Sequence, residues 1–207
     1  DMAAITRLTQ NYGCRVGFDL AHATGNIKLD LHDWGVDFAA WCGYKYLNGG
    51  PGSPSGLFIH ERHLDNTSIP RLEGWWGHDQ STRFSMPDNF IPLKSVEAWQ
   101  LSNPPIISMA ALLSSLEIFH KVKMNKIRKK SEKLTSYLES LIQLELTNKV
   151  EIITPSSIES RGCQLSLRLL PPINNITNLL RNKGVIIDWR EPDIIRVAPV
   201  PLYNSFE

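Results

Sequence analysis

The sequence predicts an α/β fold that gives way near residue 122 to a smaller α+β module. Two short apolar runs, Arg15–Asp19 and Phe38–Tyr44, are spaced for one crossover between neighbouring parallel strands. Beyond them come two long helical periodicities, then four short strand-like runs around a single helix. That order is the signature of a parallel sheet followed by a separate mixed unit.

The elements follow in order. Asp1–Asn11 reads as the end of a helix, with Ile5 and Leu8 as its apolar positions. After the two strands, Gly43–Gly52 is a glycine-rich loop carrying Lys45, and Gly56–His60 is a further short strand. Residues 61–100 are irregular, with Pro70, Pro87 and Pro92 among many aromatics; so long a loop in a compact domain is functional or interface-forming. Asn103-Pro104-Pro105 then reads as a helix start, Asn as the N-cap and Pro in the first turn. Met109, Leu112, Leu113, Leu116 and Phe119 form the apolar face of that helix. Ile127, Leu134, Leu138, Leu141 and Ile142 form that of the next. The last module reads as strands Val150–Ile153 and Cys163–Leu169, helix Ile176–Lys183, and strands Val185–Asp188 and Ile194–Ala198. Gly184 stops its helix.

With 207 residues, 42% of them hydrophobic, the chain can bury a real core. A net charge of +1 argues against a nucleic-acid surface. The basic run Lys121, Lys123, Lys126, Arg128, Lys129, Lys130 and Lys133 reads as a solvated helix face. Cys14, Cys42 and Cys163 are odd in number and widely spaced, and two lie in predicted strands, the pattern of buried reduced thiols. No apolar run approaches membrane-spanning length and no signal peptide opens the chain. The expectation is a soluble cytoplasmic protein without nucleic-acid or membrane partners, and no metal.

Asp19 and Lys45 each close an apolar strand, and ligands of open α/β sheets bind at the carboxyl ends of strands. A carboxylate opposite a lysine there suits pyridoxal phosphate: the amine forms a Schiff base, and the acid keeps the pyridine nitrogen protonated. An ordinary Asp–Lys pair at the sheet rim is the competing reading. His22 lies three residues past the acid, where its ring can turn toward the cofactor.

The strings around these residues are much more specific. Val16–Asn26, Leu31–Ala39, Tyr44–Asn48, Gly74-Trp75-Trp76-Gly77-His78, Ser102-Asn103-Pro104-Pro105 and Ile195–Phe206 resemble kynureninase, in order and over almost the whole chain. The resemblance implies the two-domain fold of aspartate-aminotransferase-like enzymes. Residues 1–122 would be the C-terminal part of the cofactor-binding large domain and 123–207 a small domain. It also implies a protein about twice as long, whose first half holds a phosphate loop and the residue stacking on the pyridine ring. The chain alone is therefore expected to be inactive.

The resemblance further implies roles. Lys45 would carry the cofactor and later the α-proton, Asp19 would pair with the ring nitrogen, and His22 would contact the ring. Tyr44 would reach the phosphate and assist protonation. Trp75 and Asn103 would serve the phosphate from the neighbouring subunit of a homodimer, Asn103 also reading the aromatic end of the substrate. Arg196 would pair with the substrate α-carboxylate through its two-pronged fork. The implied reaction splits kynurenine or 3-hydroxykynurenine into the anthranilate and alanine. Each residue has a plainer reading: surface lysine, turn aspartate, structural histidine, strand-end aromatic, helix cap, or strand arginine meeting a surface acid. Pro51–Ser55 departs from the family pattern after the lysine. An incomplete, inactive fragment is one alternative. Another lyase of the same fold, such as a cysteine desulfurase, is the other; that family has Gln where this chain has His22, and a cysteine in a mobile loop. His60 and His63 lack an evident third ligand for zinc, and the lysine loop lacks a nucleotide-binding P-loop pattern.

Overall fold

A computed structural model describes residues 1–207. The chain divides into two compact units, Asp1–Thr24 with Leu29–Ile118, and Gly25–Lys28 with Phe119–Glu207. Inclusion of Gly25–Lys28 in the second unit has a visible cause: Asn26 Oδ1 accepts the Cys163 N–H at 3.0 Å.

The first unit opens on α1 (Met2–Gln10), capped by the Asp1 carboxylate, which accepts the Ala4 N–H. Ile5 and Leu8 are exposed, contrary to expectation, and the buried position is Thr6, whose hydroxyl donates to the Met2 carbonyl. The sheet has the order β1-β2-β3, with β1 (Gly17–Asp19) parallel to β2 (Phe38–Cys42) and β3 (Ser55–Ile59) antiparallel to β2. Both leading strands are shorter than their apolar runs. Val16 donates to the Asp37 carboxylate at 2.8 Å, and Gly43 turns away because its carbonyl accepts the Gly49 N–H. The Phe38 ring lies over Gly17, so that a Cβ there would sit 2.1 Å from it and the half-exposed ring would have to swing aside. One face of this sheet is open: Phe38, Ala40 and Leu57 are exposed, whereas Ala39 is fully buried.

Asp37 ties the strand starts together. Its Oδ1 accepts from Arg62 and His63, each at 2.6 Å, while Arg15 lies at 3.4 Å. Burial pushes the Asp37 carboxyl up, but Arg62, the Val16 N–H and His63 outweigh it and hold it well below the usual carboxylate range. His60 stacks on His32 with ring centroids 4.8 Å apart, so both histidines of the His60/His63 pair have structural partners. The irregular stretch after β3 holds only short 3₁₀ turns. His78 fastens part of it, facing the Thr82 hydroxyl at 3.0 Å and accepting the Ile91 N–H at 3.2 Å.

Helix α2 (Ile106–Val122) departs most from expectation. Its first capped N–H, that of Met109, bonds the Pro105 carbonyl, so Pro105 occupies the cap and Asn103 lies two residues upstream. Of the predicted apolar face, Met109, Leu113 and Leu116 are exposed, and the buried residue is Ser115. Ile107 is 88% exposed. The helix is apolar on most sides rather than on one face, and much of that surface is exposed in this chain.

The second unit is built the other way. Helix α3 (Met124–Glu145) buries Ile127, Leu134 and Ile142 as expected, while Leu141 is exposed. It lies with a four-stranded antiparallel sheet of order β4-β5-β7-β6: β4 (Val150–Ile152), β5 (Leu165–Leu169), β6 (Asp188–Arg190) and β7 (Ile194–Val197). Strand alternation is strict. Leu165, Leu167, Leu169 and Ile195 join Ile142 in the core, with Val150, Ile152 and Trp189 against them. Cys163 falls outside β5 because its N–H is spent on Asn26. Strand β6 lies three residues later than predicted. Val185 is taken by the end of α4 (Ile176–Arg181), donating to the Leu180 carbonyl past Gly184 at φ +80°.

Two cations of the basic run are structural rather than solvated. Arg128 donates to the Ile158 and Arg161 carbonyls, and Lys130 to those of Pro201 and Asn204. Arg161 is buried and paired with Glu139; this bond holds the Glu139 carboxyl down despite its burial, with Ser156 assisting. No helix is long and apolar enough to cross a membrane.

Candidate active site

Asp19 is the last residue of β1, and its register partner on the parallel strand β2 is Ala40. Lys45 follows the end of β2 by three residues, in a turn closed by the Asn48 N–H to the Lys45 carbonyl and the Gly49 N–H to the Gly43 carbonyl. Both groups therefore stand at the carboxyl end of one parallel pair. The turn is packed tightly: a Cβ on Gly43 or Gly49 would lie within 2.4 Å of the Ser53 hydroxyl. Ser115 on α2 anchors it by donating to the Leu47 carbonyl at 2.6 Å.

Asp19 Oδ1 accepts the Ala21 N–H at 2.9 Å, an Asx-type turn that fixes the carboxylate and leaves Oδ2 for a second donor. This is the turn role of an aspartate, and it is compatible with holding a ring nitrogen. The turn continues to His22, whose ring meets Tyr46 edge-on at 5.9 Å. Cys42 Sγ reaches the Ala21 carbonyl at 3.8 Å, so the segment after β1 is fastened to the end of β2. Lys45 is half-buried, with Nζ 5.9 Å from the Tyr44 ring centroid, and Tyr44 is 54% exposed. A carboxylate oxygen, a primary amine, an imidazole and a phenol thus share one strand end, a donor set suited to a protonated pyridine ring bearing an aldehyde and a phosphate.

The other candidates have their own surroundings. Trp75 packs against Trp76 and Phe84, with the Arg83 guanidinium 5.7 Å from its ring centroid and 4.7 Å from that of Trp76. Arg83 also donates to the Trp76 and His78 carbonyls, so it organises the loop that presents Trp75. Asn103 is exposed and accepts from the neighbouring Ser102 hydroxyl. Arg196 stands on β7 in the second unit, paired with Asp188 on β6. A groove of about 600 Å³ lies at the opposite ends of the strands from this chemistry, lined by Phe38, Ile59, His63 and Trp99.

Sequence reasoning missed Arg83, Tyr46, Ser115 and Asp188 as supporting residues. For Asp188 a signal existed: the short Glu191-Pro192-Asp193 link makes a hairpin whose register faces Asp188 with Arg196.

Comparison with known proteins agrees with the fold and the sequence. Over residues 127–207 the chain matches the family model described as the kynureninase C-terminal domain. It is 53% identical over 206 residues to a kynureninase of Koribacter versatilis and 54% identical to one of Myxococcus xanthus. The alignments take in 100% of this chain and 49% and 48% of those proteins, so the chain spans about half the length of the curated relatives it matches. Among solved structures, a cysteine desulfurase from Thermococcus onnurineus superposes with a TM-score of 0.75 at 18% identity, covering 99% of this chain and 52% of that one. An alanine–glyoxylate aminotransferase from Nostoc sp. gives 0.67 at 18% identity, covering 100% and 54%. The backbone thus shares the fold of these solved structures, and in sequence the chain is similar to about half the length of the named kynureninases, its residues 127–207 matching the kynureninase C-terminal domain.

Proposed function

We propose that the protein to which this chain belongs hydrolyses kynurenine or 3-hydroxykynurenine to anthranilate or 3-hydroxyanthranilate and L-alanine, with pyridoxal phosphate as cofactor. One observation carries the reading: Asp19 and Lys45 stand at the carboxyl ends of adjacent parallel strands, in a chain 53% identical over 206 residues to a named kynureninase. The first unit would be part of the cofactor-binding large domain, and the second the small domain. The setting would be the cytoplasm, in tryptophan catabolism leading toward NAD.

When bound, pyridoxal phosphate supplies an electron sink for charge developing at the substrate α-carbon. Lys45 holds the cofactor through its amine and moves the α-proton. Asp19, fixed by the Ala21 N–H, uses its second oxygen to keep the ring nitrogen protonated. His22, braced on Tyr46, contacts the ring. The Tyr44 phenol serves the phosphate and donates a proton. Trp75 and Asn103 serve the phosphate of the neighbouring subunit in a homodimer, which their exposure favours. Arg196 receives the substrate α-carboxylate and so orients the reacting bonds.

The test is borohydride fixation of the full-length protein with pyridoxal phosphate, then peptide mapping, together with turnover of kynurenine by Lys45→Ala. The label is expected on Lys45 and turnover is expected to vanish. Near wild-type turnover by the variant would sink the assignment. The cysteine desulfurase backbone match supports a second reading, separated by product analysis with kynurenine and with cysteine. The open sheet face and exposed α2 favour inactivity of this chain on its own.

A further inference from the structure

The outer face of the four-stranded sheet places three arginines and their acids in adjacent rows. Asp188 is the register partner of Arg196 across the β6–β7 hairpin. Its Oδ2 accepts from Arg196 Nε at 2.5 Å and also contacts Arg196 Nη2. Both bonds use one edge of the guanidinium. The fork has a second edge, formed by Nη1 and the outer hydrogen of Nη2, which points away from the first. Arg190 stands on the other flank, its Nε 3.3 Å from the same Asp188 oxygen. Of the two acids in the hairpin link, Asp193 is paired with Arg168, which also holds Glu151, and Glu191 makes no ion pair with Arg196. Asp188 is therefore the acid that sets the plane of Arg196.

Resting on the assignment of Arg196 to the substrate α-carboxylate, we propose that Asp188 is the positioning residue of substrate recognition. It clamps the Nε–Nη2 edge and presents the Nη1–Nη2 edge to the carboxylate. An arginine left to its own rotamers loses side-chain freedom when it binds; one already clamped loses less, and its two donors meet the carboxylate together. The clamp touches neither cofactor nor reacting atoms, so it acts on binding and leaves the chemical step alone.

The experiment uses the full-length protein loaded with pyridoxal phosphate. Asp188→Asn is expected to raise KM for kynurenine by about tenfold while kcat changes by less than about threefold. Asp188→Glu, which keeps the charge, is expected to recover much of the loss. The discriminating probe is kynuramine, the amine that lacks the α-carboxylate, as a competitive inhibitor. Its inhibition constant is expected to be equal in wild type and Asp188→Asn. A KM unchanged in Asp188→Asn, or a kynuramine constant that weakens in parallel, overturns the proposal, the second by showing a merely structural role. Arg196→Lys is the control: an unchanged KM there would overturn the carboxylate assignment itself, and the proposal with it.

Discussion

The two units use similar residues to different ends. In the second, α3 covers one face of an antiparallel sheet, and every inward strand position from Leu165 to Ile195 finds an apolar neighbour. In the first, one sheet face stays open at Phe38 and Leu57, and α2 carries exposed isoleucine and leucine along most of its length. The first unit buries Val16, Leu20, Val36 and Leu47, but polar contacts add much of its order: the Asp37 cluster, the Lys45 turn and the His78 loop. Apolar periodicity thus marks which surfaces require cover, and does not say whether the cover lies in the same chain.

The sharpest test of that contrast is core truncation. Leu165→Ala, at a fully buried site, is expected to destabilise the second unit by about 3–4 kcal/mol, read as lower protection of the β5 and β7 amides in hydrogen exchange. A loss below about 1 kcal/mol would mean that the site collapses freely and the core is loose.

In the first unit the corresponding loss should be electrostatic. Asp37→Ala removes the acceptor of Arg62, His63 and the Val16 N–H and is expected to cost about 3 kcal/mol. The pH dependence has a definite sign. Because the folded carboxyl is held below its unfolded value, its contribution is present at neutral pH and is lost as pH falls below about 4. Asp37→Ala should therefore show a flatter fall in stability between about pH 5 and pH 3 than the parent. Parallel curves would remove Asp37 as the source.

The smallest effect is expected on α2. Ile107→Asn should change the stability of this chain by no more than about 0.5 kcal/mol, since the side chain is 88% exposed. A cost of several kcal/mol would show that this face is covered after all, for instance by self-association, which sedimentation would detect.

The strand–crossover–strand frame, the two long helices and the succession of strands along the second unit are legible in the amino-acid order, because spacing and alternation record which side of an element must leave water. That order also placed Asp19 and Lys45 at strand ends, since glycine and turn residues punctuate apolar runs. Tertiary structure alone decided the rest. Asn103 yielded the cap of α2 to Pro105, and Val185 left β6 for the end of α4, because backbone groups go to whichever partner the packed chain brings nearest. Arg128 and Lys130 turned inward to carbonyls that are distant in sequence, which no local pattern announces. Trp75 and Arg196 acquired their neighbours, Arg83 and Asp188, by the same route: a loop and a hairpin folded them together, and only then did their donors and acceptors meet.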